Sequence, residues 1–119
     1  MGQTYSVYAD IRFKDDYQKI SFCESVKAKI RVENATFDLT RGDLNDPYGC
    51  FKVMTRNAEI NDDGTWSAFF DASYGWVRVM YDVFRESLNC ASDESTVIIS
   101  TDNEKIIITV KYGEVLSNW

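Results

Sequence analysis

Residues 5–14 alternate strictly between apolar and polar side chains, and this run limits the fold more than any other segment. The apolar positions are Tyr5, Val7, Ala9, Ile11 and Phe13. Period-two alternation indicates a β-strand with one face in a core and the other toward water. Val and Ile together number nineteen against four Leu, which favours further strands over a pure helix bundle.

A helix is predicted for residues 15–32, because the aspartates at 15 and 16 favour a helix N-terminus. The expected core face combines apolar residues at helical spacing, namely Ile20, Cys23, Val26 and Ile30. Residues 26–32 also alternate between apolar and charged side chains, which would suit a strand. The helix is the favoured interpretation, and the strand stays open for this second half.

Turn and cap signals divide the middle of the chain. Residues 33–46 are polar and predict mostly loop, and Asp46-Pro47 predicts a short helix that runs to about residue 56. Residues 61–64 form a strong turn signal, and residues 66–73 alternate as a second strand. Ser73 can then cap a helix whose apolar stripe is Val77, Met80, Tyr81, Phe84 and Leu88.

Two β-branched runs near the C-terminus predict a hairpin. They span residues 96–101 and 105–112 and bracket a polar turn, after which Gly113 ends the strand and a short tail carries Trp119. We expect this hairpin at a sheet edge, where an exposed strand could pair with a second copy and form a homodimer.

The resulting element order is β-α-(α)-β-α-β-β over one domain, residues 1–119. The predicted fold class is α+β. It is a two-layer sandwich in which two to three helices cover a mostly antiparallel sheet of about four strands. A parallel strand pair within the β-α-β steps remains open.

The chain contains no histidine, and this absence restricts catalysis. His-ligated zinc and the Ser-His-Asp and Cys-His arrangements are excluded. Cys23, Cys50 and Cys90 are odd in number and widely spaced, so we expect reduced thiols that fill space in a core, and one internal disulfide stays open as the alternative. Asp43, Asp46, Asp62 and Asp63 do not fit a calcium-loop pattern and are predicted as turn carboxylates. No catalytic, cofactor-binding or metal-binding residue is predicted.

The net charge of −6 is concentrated away from the N-terminal third. Residues 42–75 carry six acidic and two basic groups. This surface disfavours nucleic acid and would attract a protein partner with a basic surface. The sequence shows no apolar run of membrane-spanning length and no export signal, so a cytoplasmic location and no membrane contact are expected.

The most distinctive candidate site lies where the second strand passes into the following helix. Asp71, Ser73, Tyr74 and Trp76 are the candidate ligand or partner contacts. Amide groups at a helix start can hold an anion, and the two aromatic rings offer flat contact surfaces. The competing interpretation is ordinary: Ser73 caps the helix and the aromatic rings pack.

The stretch NDDGTWSAFFDASYGW at residues 61–76, followed by a helix and the hairpin TDNEKIIITVKYGEV, carries a resemblance. With DPYGCFKVMT it covers mainly residues 47–115. This part of the chain resembles small uncharacterised proteins of gut-type Gram-positive bacteria and of their phages and mobile elements. The resemblance implies a bacterial cytoplasm and brings no activity or named family with it.

Three function classes follow. The leading prediction is a non-enzymatic accessory module that acts by protein–protein contact. The first alternative is a sensor or carrier with a pocket between helices and sheet, walled by Tyr74, Trp76, Trp66 and Tyr112. The second alternative, a metal-dependent carboxylate enzyme, is disfavoured because no ligand spacing supports it.

Overall fold

An antiparallel sheet with helices against one face forms the framework. The computed structural model describes residues 3–32, 37–55 and 57–119. The strands in these ranges are β1 (Gln3–Asp10), β2 (Glu59–Ile60), β3 (Trp66–Ala72), β4 (Thr96–Ser100), β5 (Lys105–Lys111) and β6 (Glu114–Ser117), in the spatial order β2-β3-β1-β4-β5-β6. The helices are α1 (Asp16–Val32), α2 (Pro47–Met54) and α3 (Tyr74–Ser87), with 3₁₀ turns at Leu39–Arg41 and Leu88–Cys90.

Strand β1 lies inside the sheet and pairs antiparallel with β3 on one side and β4 on the other. Strands β3 and β4 therefore run parallel to each other, and α3 crosses over β1 to connect them. All hydrogen-bonded strand pairs in the described ranges are antiparallel. The predicted α+β class is confirmed. The sequence left open a parallel strand pair, and the structure shows that the two parallel strands, β3 and β4, are not hydrogen-bonded to each other but are separated by β1.

The sheet is wider than the predicted four strands, because two short strands extend it at its edges. Tyr112 and Gly113 both have positive φ, 53° and 76°, and this two-residue turn sends the chain back along β5 as β6. The expected C-terminal tail is therefore mostly strand. The predicted edge position of the hairpin is wrong as well, since β4 pairs with β1 and β6 covers β5.

The predicted first strand ends early, at Asp10, where pairing with β4 also ends. Beyond it the backbone of Arg12 bonds to the Ser92–Ser95 turn: its N–H donates to Ser95 Oγ over 2.9 Å, and its carbonyl accepts from Ser92 N over 2.8 Å. The chain therefore leaves the sheet, although Ile11 and Phe13 still pack against the core.

Residues 26–32 are helical, which settles the open choice for the end of α1. Phe22, Cys23, Val26 and Ile30 are the buried residues of this helix. Ile20 was expected on that face but is 61% exposed. At 3.6 residues per turn it lies roughly a quarter of a turn from the centre of the buried face.

Helices α2 and α3 begin at the predicted caps. The Asp46 carboxylate accepts from Gly49 N over 3.0 Å, and Ser73 Oγ accepts from Trp76 N over 3.4 Å. The predicted stripe of α3 and the adjoining turn is buried in full: Val77, Met80, Tyr81, Phe84 and Leu88. None of the described helices combines the length and the hydropathy of a membrane-spanning segment.

Two glycines allow the segment before α2 to lie directly on the first turn of that helix. A Cβ at Gly49 would stand 2.0 Å from the Asp43 carbonyl oxygen, and a Cβ at Gly42 would stand 2.2 Å from the Gly49 carbonyl oxygen. Both neighbours are backbone, so a side chain at either position requires the chain to move.

Gly49→Ala should lower the free energy of unfolding by about 3 kcal/mol, because a methyl group overlaps the Asp43 backbone. Gly75→Ala is the matched control. Its Cβ would meet Ser73 Oγ at 3.9 Å, and alanine favours helix, so stability should be unchanged or rise by up to about 1 kcal/mol. Urea denaturation of both variants measures the difference. Equal stability of the two would contradict the close contact at Gly49.

Candidate functional site

The four predicted contact residues lie at one end of β3 but do not form one surface. Asp71 lies on the outer face of the sheet, where its Oδ1 accepts from Thr4 Oγ1 over 2.7 Å. Trp76 is half-buried and packs on Phe37 with ring centroids 4.9 Å apart. Asp71 and Trp76 line the same cavity.

Ser73 and Tyr74 have other roles. Ser73 is the N-cap of α3. Tyr74 is 54% exposed and meets Trp119 edge-on at 5.5 Å. Trp119 also packs against Tyr81, whose hydroxyl donates to Ser117 Oγ over 2.8 Å. These contacts tie the C-terminal segment to α3, so the ordinary interpretation describes this pair.

The cavity beside Trp76 has a volume of about 650 Å³. It lies between the Leu39–Arg41 turn, the C-terminal end of α2 and the last residues of β3. Its described lining residues are Phe37, Asp38, Arg41, Val53, Met54, Thr55, Asn57, Phe70, Asp71, Ala72 and Trp76. Within the described ranges, β2 pairs with β3 only at Trp66 and Ser67, so the β2-side edge of β3 has no strand partner where it reaches this cavity, while its other edge stays paired with β1 up to Ala72.

The lining combines a buried apolar floor with charged groups. Val53 and Met54 are each 1% exposed and Phe70 is 5% exposed. The Arg41 guanidinium donates from Nη2 to the Thr55 carbonyl oxygen, which belongs to the C-cap of α2. The Asp38 carboxylate accepts from the hydroxyl and the amide of Thr40, and these bonds hold its pKa below the usual value.

The other walls expected for a pocket lie elsewhere. Trp66 is 8% exposed and packs between Tyr48 and Phe51, at centroid distances of 6.3 and 5.2 Å. Tyr112 is 94% exposed in the turn before β6. Phe37, Asp38 and Arg41 were missed, because they fall in a segment that the sequence predicts as loop and the cavity forms only when that segment meets β3.

The outer face of the sheet carries an apolar patch that is not covered by α1, α2 or α3, the helices of the described ranges. Tyr8 lies opposite Ile98, and Ile98 lies opposite Ile107, so the three side chains form a row across β1, β4 and β5. Phe69 lies on the same face of β3, opposite Ser6, and is 66% exposed. We call these four residues the outer-face patch.

Charges on the outer face are unevenly placed. Glu59 and Asp71 lie on the β2–β3 side, close in register to Phe69. Asp10 follows Tyr8 and is bonded to Arg12, with Oδ2 to Nη2 at 3.0 Å. Lys105 and Lys111 lie on β5. The side of the outer-face patch that holds Phe69 is therefore the acidic side.

The turn aspartates serve the turns in which they lie. Asp63 Oδ1 accepts from the Thr65 hydroxyl and amide over 2.6 and 3.1 Å. Asp43 accepts from Asn45 N, and Asp46 caps α2. Across ranges 3–32, 37–55 and 57–119, no three acidic or sulfur ligands are grouped closely enough to hold a metal ion.

The three cysteines are free thiols, and two of them are buried. Cys23 on α1 and Cys50 on α2 interact, and the neighbouring Cys23 thiol together with burial raises the pKa of Cys50. The thiol of Cys50 donates to the Leu44 carbonyl over 3.4 Å. Cys90 is half-buried, and burial raises its pKa. Thiols placed in this way act as small packing groups.

The chain matches no protein-family model, no curated protein and no solved structure. The resemblance to small bacterial and mobile-element proteins stays a prediction.

The pKa of Asp63 lies below its ordinary value of 3.8, because Thr65 donates two hydrogen bonds to the ionised carboxylate. A lowered folded-state pKa contributes stability above the unfolded-state pKa, and this stability is lost as pH falls through the folded-state pKa. Asp63→Asn should therefore flatten the fall in melting temperature below about pH 4. Asp62→Asn is the control, because it removes one negative charge from the adjacent residue. Identical pH profiles for the two variants would contradict the assignment.

Proposed function

We propose that the protein is a non-enzymatic cytoplasmic binding module that docks another protein through the outer-face patch. The observation that carries this proposal is the exposure of Phe69 and Tyr8, at 66% and 39%, on a sheet face that none of the described helices covers. Contiguous exposed apolar side chains mark interaction surfaces in soluble proteins. Aromatic side chains are also the residues that most often dominate binding energy at such surfaces.

The partner surface is apolar with lysine or arginine beside it. Glu59 and Asp71 flank Phe69 and can pair with basic side chains, while Phe69 and Tyr8 can stack against a guanidinium. The net charge of −6 adds a long-range attraction for a basic protein and repels nucleic acid. Association should accordingly slow as salt concentration rises.

Phe69→Ser should weaken binding of the partner about 30-fold, because it removes a central aromatic contact without opening the core. The protein and its variants serve as bait for a lysate. Each retained protein is then purified and its dissociation constant measured by calorimetry at low and high salt. Ile20→Ser is the matched control, since Ile20 is an equally exposed apolar residue on the helix side.

A partner bound by the wild type and by Ile20→Ser, lost by Phe69→Ser and released by salt would support the proposal. The proposal would be overturned if every retained protein bound Phe69→Ser as tightly as the wild type. Sedimentation of the purified chain measures whether it forms a dimer. A dimer that Phe69→Ser dissociates would show that the patch binds a second copy instead of a basic partner.

A second candidate function, a small-molecule sensor or carrier, is favoured by the cavity beside Trp76. Its volume of about 650 Å³ lies in the range of small-ligand sites. Buried apolar residues line its floor, and a few charged groups lie around it, as in sites that orient a ligand.

A further inference from the structure

The cavity beside Trp76 carries charges of both signs over an apolar floor. Among the lining residues that the structure describes, Arg41 is positively charged, and the exposed Asp38 and Asp71 are negatively charged. The floor of Val53, Met54 and Phe70 is almost fully buried. A ligand that fits this lining needs a bulky apolar body and polar groups of opposite charge.

The guanidinium of Arg41 can bind a carboxylate. One of its nitrogens donates to the Thr55 carbonyl, which fixes the side chain against the end of α2. A guanidinium carries five N–H donors in a planar fork, so donors remain for a two-point contact with a carboxylate.

The carboxylates of Asp38 and Asp71 can accept from an ammonium group. The bond from Thr4 uses Oδ1 of Asp71, and both bonds from Thr40 use Oδ1 of Asp38. The second oxygen of each carboxylate is not used in these bonds. The half-buried rings of Phe37 and Trp76 pack on each other in the same lining and offer apolar surface.

We propose that this cavity binds a zwitterionic amine–carboxylate molecule with a bulky apolar body, the chemistry of a free amino acid with an aromatic or branched side chain. The ligand carboxylate binds Arg41, the ammonium binds Asp71 and Asp38, and the apolar body packs against the half-buried rings of Phe37 and Trp76. This inference rests on the second candidate function.

Ligands of a single charge fit the cavity less well. An anion meets Arg41 but also two carboxylates, and a cation meets the carboxylates but also Arg41. A neutral apolar ligand covers the aromatic walls and removes water from the charged groups without pairing with them, which is costly. A zwitterion can pair with the positive group and with the negative groups of the lining at the same time.

Calorimetry with matched probes tests the charge requirement. The zwitterionic probes are L-phenylalanine, L-tryptophan, L-leucine and L-methionine. The analogues 2-phenylethylamine and 3-phenylpropanoate each lack one charge, and glycine lacks the apolar body. At least one zwitterionic probe with an apolar body should bind, the single-charge analogues should bind at least tenfold more weakly, and glycine should not bind.

Variants test the assigned contacts. Arg41→Gln should weaken amino-acid and 3-phenylpropanoate binding tenfold or more and leave 2-phenylethylamine unaffected. Asp71→Asn should weaken amino-acid and 2-phenylethylamine binding and leave 3-phenylpropanoate unaffected. Arg85→Gln is the control for charge, since Arg85 is an exposed residue of α3 outside this cavity. Circular dichroism checks folding, and Arg41→Lys replaces Arg41→Gln if the latter unfolds.

The outcomes separate the inference from the function on which it rests. If the single-charge analogues bound as tightly as the amino acids, the requirement for a zwitterion would be overturned, but the cavity would still be a ligand-binding site. If neither Arg41→Gln nor Asp71→Asn changed amino-acid binding, the assignment of the binding site to this cavity would be overturned. No binding by any probe would overturn the inference and remove the main support for the sensor function.

Discussion

Burial of the inward face of β1 beneath the helices is the interaction on which the structure depends. Val7 is 1% exposed and Ala9 is fully buried, and the strand is paired on both sides. Because β3 and β4 pair with opposite edges of β1, α3 must pass over the strand to join them. Its apolar stripe then meets the apolar face of β1 and closes the core.

One consequence of this arrangement is that the two faces of the sheet differ. The inward side chains of β3 enter the core, and its outward side chains face away from the helices. Phe69 and Phe70 are neighbours in the chain, yet one is 66% exposed and the other 5%. Phe69 belongs to the outer-face patch, and Phe70 forms part of the cavity floor. A single strand thus contributes to both proposed binding surfaces.

The chemistry of the side chains favours binding over catalysis as the proposed role. The sequence has no histidine, and burial and hydrogen bonding make Cys50 harder to ionise. The aspartates of the turns accept hydrogen bonds from nearby amides and hydroxyls, which gives them structural roles. The proposed binding roles use apolar area, aromatic rings and fixed charges instead.

The sequence by itself determined the elements whose signals are local. Alternation set the faces of β1 and β3, the spacing of apolar residues set the buried stripe of α3, and Asp46 and Ser73 marked helix starts through bonds to residues three positions away. Tertiary structure alone decided the six-strand width and the position of the hairpin inside the sheet. It also brought Arg41 and Asp38 to Trp76, more than thirty residues along the chain. The physical reason is range: caps and periodicity act within one or two turns, whereas strand order and cavities depend on which distant surfaces pack together.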